Sequence, residues 1–265
     1  MRAVLFALIG FMTMASPAEA TDPVRLHAAG SLRAALSEAA GAFESAGGGS
    51  VESTFGASGL LRDAIAGGAK ADVFASANME HPQSLAHAGR SGPVVLFARN
   101  RLCALVRPGL EITTATVIER MLDPDVKFGT STPKADPSGD YAWEAFRRID
   151  AQRPGTLAVL ERKALQLTGG PESPKPHVGR SVYSLIVERG DADVFLTYCT
   201  NARAAAAEVQ GARSIDLPEA IVVGADYGLT VMNGASERAY RLALFILSPE
   251  GQSILARHGF AVRTP

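Results

Sequence analysis

The chain has 265 residues, a formal net charge of −1 at pH 7, and 20% charged residues. This balance excludes a general electrostatic attraction to nucleic acid, and the length is sufficient for one large domain or two smaller ones. Aromatic residues make up 6% of the chain, against 26 glycines, which favours close-packed helices on a sheet over an aromatic sugar-binding groove.

Residues 1–20 are predicted to form a signal peptide. Arg2 gives a positive start, residues 4–14 are apolar, and Ala18-Glu19-Ala20 is a small-x-small cleavage site before Thr21. The apolar run is too short to span a bilayer, and no cysteine follows the cleavage site to carry a lipid. We therefore expect a soluble exported protein, periplasmic in a Gram-negative cell; the alternative is an uncleaved anchor.

The first part of the mature chain alternates strands and helices. Strands are predicted over residues 24–29, 51–55 and 71–76, and helical periodicity begins at Leu32 and at Leu60. Glycine runs end both helices. The order βαβα indicates a parallel sheet with helices on both faces.

A second lobe is predicted after residues 96–106, where two apolar stretches flank Arg99-Asn100-Arg101. We expect a two-lobed α/β body: residues 21–100 plus 217–265 in lobe 1, and residues 101–216 in lobe 2. A single doubly wound domain is the alternative. The further predicted helices cover residues 116–122, 141–146, 181–189, 240–245 and 252–257, and the further strands cover 126–129, 192–198 and parts of 214–231.

Three Gly/Ser corners, at residues 28–32, 55–60 and 136–141, each follow a predicted strand or loop and precede a helix. They place Ser31, Ser58 and Ser138 where a helix N-cap is expected. Helix N-termini have unpaired N–H groups and a partial positive charge. Converging corners could therefore bind an anion beyond the carboxyl ends of the strands. The alternative is that these serines only cap their helices.

Four further residues carry open alternatives. Tyr198 ends a predicted strand and is either a phenol donor facing the cleft or a core tyrosine. Arg180 begins a helix and is either a cleft cation or a solvated surface charge. Cys103 and Cys199 lie in apolar runs that resemble buried strands; export permits a disulfide, but we expect buried free thiols.

Catalytic motifs find no support in this sequence. Gly56-Ala57-Ser58-Gly59 lacks the spacing of a G-x-S-x-G elbow. The five histidines are not paired at metal-ligand spacing on a helix. No Walker A loop and no G-x-G-x-x-G motif occurs. We therefore expect a binding protein that is not an enzyme; an exported hydrolase using a cleft serine is a less favoured alternative.

Several segments in a fixed order give the chain a resemblance to a known family, the periplasmic molybdate-binding proteins of ABC importers. The resemblance extends from about Val24 to Phe260. It implies the type II periplasmic-binding-protein fold, in which each lobe is a mainly parallel sheet flanked by helices and the oxyanion lies in the cleft between the lobes. The segments are residues 28–32, 55–59, 71–77, 187–193 and 247–252.

The resemblance also implies a ligand set of serines, backbone amides and a tyrosine. Ser31, Ser58 and Tyr198 match the positions whose hydroxyls hold molybdenum as molybdate. Ser138 matches a position that contributes its backbone N–H, and Arg180 or Ser181 matches a helix-start amide. Two features differ from the family: residues 129–140 form a longer, more charged loop, and Arg180 replaces a residue that is commonly apolar.

The predicted function is the capture of molybdate, and also tungstate, for delivery to the membrane permease of an ABC importer. We expect a monomer that needs no cofactor and binds no nucleic acid. The alternative within the same class is a binding protein for another anion, such as a phosphate or carboxylate compound, held by Arg180 or Lys134.

Overall fold

The computed structural model describes residues 22–174 and 179–262. The predicted signal peptide lies outside the described residues. The strands are β1 (Val24–Ala29), β2 (Val51–Gly56), β3 (Val73–Ser76), β4 (Val95–Val106), β5 (Phe128–Ser131), β6 (Leu165–Thr168), β7 (Val194–Tyr198), β8 (Arg213–Asp216) and β9 (Gly224–Val231). The α-helices are α1 (Arg33–Ser45), α2 (Ser58–Ala66), α3 (Glu80–His87), α4 (Val117–Leu122), α5 (Pro137–Gln152), α6 (Thr156–Lys163), α7 (Val182–Glu188), α8 (Cys199–Glu208), α9 (Glu237–Leu247) and α10 (Pro249–Arg257).

The fold is two-lobed and α/β, as predicted. In the first half-sheet β1 pairs in parallel with β2 and β3, and β9 joins β3 to β4 in antiparallel pairing. In the second, β5 is parallel to β6 and β7, and β4 is antiparallel to β7 and β8. We call the first half-sheet with its helices lobe 1 and the second lobe 2. The predicted βαβα parallel arrangement of lobe 1 is confirmed.

Strand β4 belongs to both lobes. Its residues from Val95 to Arg101 pair with β9, and from Leu102 onward they pair with β7 and β8. The polar triplet that divides the two apolar stretches does not break the strand. Alternate residues of a strand face opposite sides; Arg99 and Arg101 are exposed, while Asn100 is buried and donates to Thr200 Oγ1 at 2.9 Å.

The predicted free thiols are wrong, because Cys103 and Cys199 form a disulfide. In the antiparallel pairing of β4 with β7, Cys103 lies opposite Thr197. Cys199 follows two residues later as the first residue of α8, with its Cα 4.8 Å from that of Cys103. The two residues are 96 positions apart in sequence, so only the strand pairing reveals that they meet.

Four elements are absent from the sequence-based prediction: α3, α6, β6 and α8. Helix α8 is rich in alanine, and its apolar and polar residues are poorly separated into faces, so helical periodicity is weak. Strand β5 also begins two residues later than predicted, because its pairing with β6 and β7 starts at Phe128 and Gly129.

Candidate functional site

The two serine corners of lobe 1 lie side by side. Strands β1 and β2 pair in parallel with Ala29 opposite Gly56, so the chain leaves both strands at the same edge of the sheet. A Cβ atom built on Gly30 would be 3.9 Å from the carbonyl oxygen of Gly56. The helix that begins at Ser58 therefore starts next to the turn that contains Ser31.

Neither of these serines is an N-cap, and this part of the prediction is wrong. Ser31 lies inside a 3-10 turn (Gly30–Leu32) that follows Ala29, and Ser58 is the first residue of α2, after the N-cap Ala57. No side chain caps either helix start. Because a capping side chain must precede the first turn, neither hydroxyl caps its helix, and each hydrogen-bonds to a group outside that helix.

The hydroxyls of Ser31 and Ser58 each have one hydrogen-bond partner. Ser58 is buried, and its Oγ accepts the N–H of Ala77 at 3.1 Å. Ser31 Oγ lies 2.9 Å from the hydroxyl oxygen of Tyr227. Because Ser58 Oγ is already an acceptor, its own O–H proton is directed elsewhere. Both hydroxyls therefore retain bonding capacity for a ligand.

Three tyrosine rings continue this cluster into lobe 2. Tyr227 and Tyr198 pack edge-to-face with centroids 5.6 Å apart, and Tyr198 packs on Tyr141 at 6.3 Å. Tyr141 donates its O–H to the carbonyl of Ala77 at 3.4 Å. Burial raises the pKa of all three phenols above its usual range. They therefore remain protonated hydrogen-bond donors.

The Tyr198 hydroxyl is buried and has no hydrogen-bond partner among the described residues. The same is true of Thr130 Oγ1 and Ser138 Oγ, both in lobe 2. Buried polar atoms are nearly always satisfied, so each exception needs an explanation. A bound ligand with hydrogen-bonding atoms would supply one.

The lobes touch at Gly59. Its N–H donates to the carbonyl of Ala135 at 2.9 Å. A Cβ atom at Gly59 would lie 2.5 Å from the carbonyl oxygen of Lys134 and 2.7 Å from that of Ala135. Lys134 has a positive φ of 68°, a conformation that non-glycine residues rarely adopt. This contact needs a residue without a side chain.

The third corner, in lobe 2, is capped by Asp136. Its Oδ1 accepts the N–H of Ser138 at 3.0 Å, and its carbonyl accepts the N–H of Gly139 at 2.8 Å. Pro137, the first residue of α5, has no N–H. The prediction that Ser138 is the N-cap is therefore wrong, and the amide that the family resemblance assigns to the anion is already paired. Asp before Pro is itself a helix-start signal.

Burial is the main reason that the pKa of Asp136 is raised to about 6; the charge of Asp140 acts in the same direction, and the hydrogen bond from the Ser138 amide acts in the opposite one. The same burial raises the pKa of Asp140. Asp136 is not among the site residues predicted from the sequence. The structure places it against the polar groups of lobe 2.

Arg180 and Ser181 have partners elsewhere on lobe 2. The Arg180 guanidinium donates to Glu188 at 2.8 Å and lies 3.8 Å from Glu208. The Ser181 N–H also reaches Glu208, at 3.0 Å. Glu208 ends α8, whereas Tyr198 precedes its first residue, so the two residues are separated by about 15 Å along the helix at 1.5 Å per residue. The structure does not bring Arg180 and the Ser181 amide together with the lobe 1 serines.

A sequence model of bacterial extracellular solute-binding proteins matches residues 24–261. The chain belongs to this family. A relative in Pasteurella multocida strain Pm70, the uncharacterized protein PM1146, is 34% identical over 212 residues, which cover 79% of this chain and 86% of the relative.

Solved structures show the fold of this solute-binding protein. The periplasmic molybdate-binding protein of Azotobacter vinelandii has a TM-score of 0.73 and 19% identity, with 91% of this chain and 100% of that chain covered. The sulfate-binding protein SubI of Mycobacterium tuberculosis H37Rv has a TM-score of 0.75 and 18% identity, with 92% and 88% covered. At these identities the likeness concerns architecture and not the ligand.

Two further observations bear on the class of this solute-binding protein. Within the described ranges, no histidine hydrogen-bonds to Ser31, Ser58 or Ser138. No helix in the same ranges has both the length and the hydropathy needed to cross a bilayer.

Proposed function

We propose that this solute-binding protein captures a tetrahedral oxyanion in the cleft between its lobes, with molybdate and tungstate as the first candidates. The observation that carries the proposal is the convergence of hydroxyl groups from both lobes on one cluster. Ser31, Ser58 and Tyr198 are joined through Tyr227, Tyr141 and Ala77 by the contacts given above.

The chemistry of this cluster suits an anion. The Tyr198 hydroxyl lacks a partner, and the starts of the 3-10 turn and α2 have no side-chain cap. Hydrogen bonds to an ionised acceptor are about twice as strong as neutral ones. Neutral donors avoid the large free-energy penalty of an unpaired buried charge when the site is empty.

A bare metal cation fits the cluster less well. Phenol oxygens bind a cation best when deprotonated, yet burial raises the pKa of Tyr198, Tyr141 and Tyr227. The protonated phenols donate hydrogen bonds and so favour an acceptor such as an oxyanion oxygen. Arg33, just after Ser31, stacks on Phe55 with its guanidinium carbon 4.8 Å from the ring centroid, which adds positive charge beside the lobe 1 corner.

We propose molybdate ahead of sulfate as the ligand for two reasons. The sequence segments resemble molybdate-binding proteins, and one structural neighbour carries that name. A second neighbour binds sulfate according to its name, so sulfate is the natural competitor. Donors arranged for the larger ion leave gaps around the smaller one, and we expect size to separate them.

The wider role follows from the family. We propose delivery of the bound anion to the permease of an ABC importer, by a monomer exported through cleavage near residue 20. The lobes proposed above, residues 21–100 plus 217–265 and residues 101–216, would close around the ligand and exclude water. The change of β4 pairing between Arg101 and Leu102 supports this division.

Calorimetry of the mature chain against molybdate, tungstate, sulfate and phosphate tests the proposal. We expect molybdate and tungstate to bind tightest and to raise the free energy of unfolding by about 2.7 kcal/mol at a hundredfold excess over Kd. Binding of none of these anions would overturn the proposal. Tighter binding of sulfate would overturn the choice of molybdate.

The variant Tyr198→Phe connects the ligand to the cluster. It should weaken binding by about 1.5–3 kcal/mol, the range for hydrogen bonds to charged groups. The free energy of unfolding of the ligand-free protein should not fall, because the hydroxyl has no partner there. Tyr240→Phe, on the exposed surface of α9, is the matched control and should bind like the wild type. Equal affinity of all three proteins would remove Tyr198 from the site.

A further inference from the structure

The N-terminus of α5 is occupied by a carboxylate of the protein itself. The Asp136 side chain accepts the Ser138 amide, and the Asp136 carbonyl accepts the amides of Gly139 and Asp140 at 2.8 and 3.4 Å. With Pro137 in the first position, no amide of this turn is left for a ligand. The corner that resembles an anion-binding amide therefore holds an acceptor.

The same lobe contains buried hydroxyls that have no hydrogen-bond partner among the described residues, and Tyr198 is close enough to Asp136 for that carboxylate to raise the pKa of the phenol. Ser138 Oγ and Thr130 Oγ1 are fully buried, and Tyr198 OH is nearly so. Hydroxyls can donate or accept, whereas an ionised carboxylate can only accept. An oxyanion that reaches these hydroxyls would bring its negative charge close to Asp136.

We propose that Asp136 is a specificity-determining residue of this site and shares one proton with the bound oxyanion. The inference rests on the proposed function and refines its ligand class. A fully ionised anion such as molybdate would bind together with a proton on Asp136. An anion that already carries a proton, such as hydrogen phosphate, would direct that proton to the Asp136 carboxylate.

No cation pairs with Asp136 among the described residues, so a proton is what would neutralise its carboxylate beside a bound anion. Asp140 on α5 is the nearest charged group that acts on its carboxyl, and the other titratable neighbours are phenols: Tyr183 on α7, Tyr198 on β7 and Tyr227 on β9. No described lysine or arginine forms an ion pair with it. Two adjacent anions cannot both stay ionised without a large energetic penalty.

Three further charges act on Asp140, the acidic neighbour of Asp136: Glu80 raises its pKa, and Arg147 and Lys134 lower it. The backbone N–H of Lys134 donates to Asp140 Oδ1 at 2.8 Å, while the Lys134 side chain is exposed. Glu80, from α3 of lobe 1, acts on Asp140 across the cleft and raises its pKa. Asp140 therefore lies among charges of both signs, whereas the one charge that acts on Asp136 itself, that of Asp140, is negative.

The direction of the pH dependence follows from linkage. Burial raises the pKa of Asp136 to about 6 in the free protein, and an adjacent dianion would raise it further. Above pH 6, binding of molybdate then takes up a proton, and affinity falls as pH rises. The limit is about tenfold per pH unit for one proton. Below the pKa of the free protein the dependence disappears.

Titration calorimetry with molybdate, between pH 6.5 and 8.5 in buffers of different ionisation enthalpy, measures this proton directly. We expect uptake of close to one proton per molybdate at pH 7.5 and close to none for hydrogen phosphate. Asp136→Asn should abolish the uptake and flatten the pH profile, because an amide does not titrate. The variant should still fold, since asparagine also caps a helix. Asp140→Asn is the matched control and should retain the uptake.

The possible failures are distinguishable. Tight molybdate binding without proton uptake, with the same pH profile in Asp136→Asn, would overturn the role of Asp136 and leave the proposed function intact. Binding of no oxyanion at any pH would overturn both. If Asp136→Asn does not fold, the buffer dependence of the wild-type protein decides the matter alone.

Discussion

Both lobes contain Gly/Ser corners, but the helices that begin at these corners differ in capping. In lobe 1 the 3-10 turn and α2 have no side-chain cap, and the hydroxyls of Ser31 and Ser58 hydrogen-bond to Tyr227 and to the Ala77 amide. In lobe 2, α5 and α7 are capped from within, by Asp136 and Ser181. The residue just before the first turn therefore decides whether a side chain of the protein caps the helix start; in the uncapped α2 the Gly59 amide is bonded instead to the Ala135 carbonyl of lobe 2.

The two lobes therefore contribute different groups to the candidate site. Lobe 1 supplies uncapped helix starts and hydroxyls that retain donor capacity. Lobe 2 supplies buried hydroxyls, at Ser138 and Tyr198 among others, next to a carboxylate. Lobe 2 also contains the disulfide, between β4 and α8. The following experiments test the contrast, from the largest expected effect to the smallest.

Removing the disulfide should act on lobe 2 first. Cys103→Ala with Cys199→Ala should lower the free energy of unfolding by about 2–5 kcal/mol, the usual range for a native disulfide. Denaturant titration measures the total. Hydrogen exchange should show the loss of protection concentrated in β7 and α8 and not in β1 or β2. A uniform loss over both lobes would contradict an effect located in lobe 2.

Removing the lobe 1 hydroxyls should weaken binding strongly. Ser31→Ala and Ser58→Ala should each reduce the binding free energy for molybdate by about 1.5–3 kcal/mol, as for hydrogen bonds to a charged group. Calorimetry measures the change. Ser45→Ala, on the exposed end of α1, is the control and should bind normally. Wild-type affinity in both cleft variants would exclude lobe 1 as the donor half.

If the lobes close around the ligand as proposed, closure should depend on Gly59. In Gly59→Ala the new methyl group would meet two carbonyl oxygens of lobe 2 at 2.7 Å or less. Overpacking of this kind is typically destabilising by about 1–3 kcal/mol, and here it should act against the closed form. Small-angle scattering should show a larger radius of gyration with ligand than in the wild type.

The control for this variant is Gly41→Ala, since no atom lies within 4 Å of a Cβ built at that position of α1. It should close like the wild type and be slightly more stable, because alanine favours helix over glycine by about 1 kcal/mol. Normal closure of Gly59→Ala would show that the lobes need not meet at this glycine.

The smallest effect is expected at Arg180. Its guanidinium pairs with Glu188 and Glu208 on a partly exposed surface. Such pairs contribute roughly 0–1 kcal/mol to stability. Arg180→Ala should therefore leave molybdate affinity and its preference over sulfate unchanged by calorimetry. A loss of about 2 kcal/mol or more in the binding free energy, typical of breaking a buried charged pair, would place the Arg180 cation in the cleft. Lobe 2 would then supply a charged donor to the anion, contrary to the contrast drawn above.

Local patterns in the sequence determined the class of fold, the bounds of β1 and the positions of the Gly/Ser corners. These features depend on periodicity and turn chemistry within a few residues. The parallel strand order also follows from them, since βαβα connections place the corners at one edge of a sheet. The family resemblance added Tyr198 as a candidate, which its position at a strand end alone left open.

Tertiary structure decided everything that depends on residues far apart in the chain. Ser31 meets Tyr227 across 196 positions, and Cys103 meets Cys199 across 96. No local pattern encodes such pairs, because strand order and the packing of helices on the sheet determine them. Capping is short-range but turns on a shift of one or two residues, the usual uncertainty of helix boundaries. The sequence therefore determined where the corners lie, and the packed structure determined which of them can still donate to an anion.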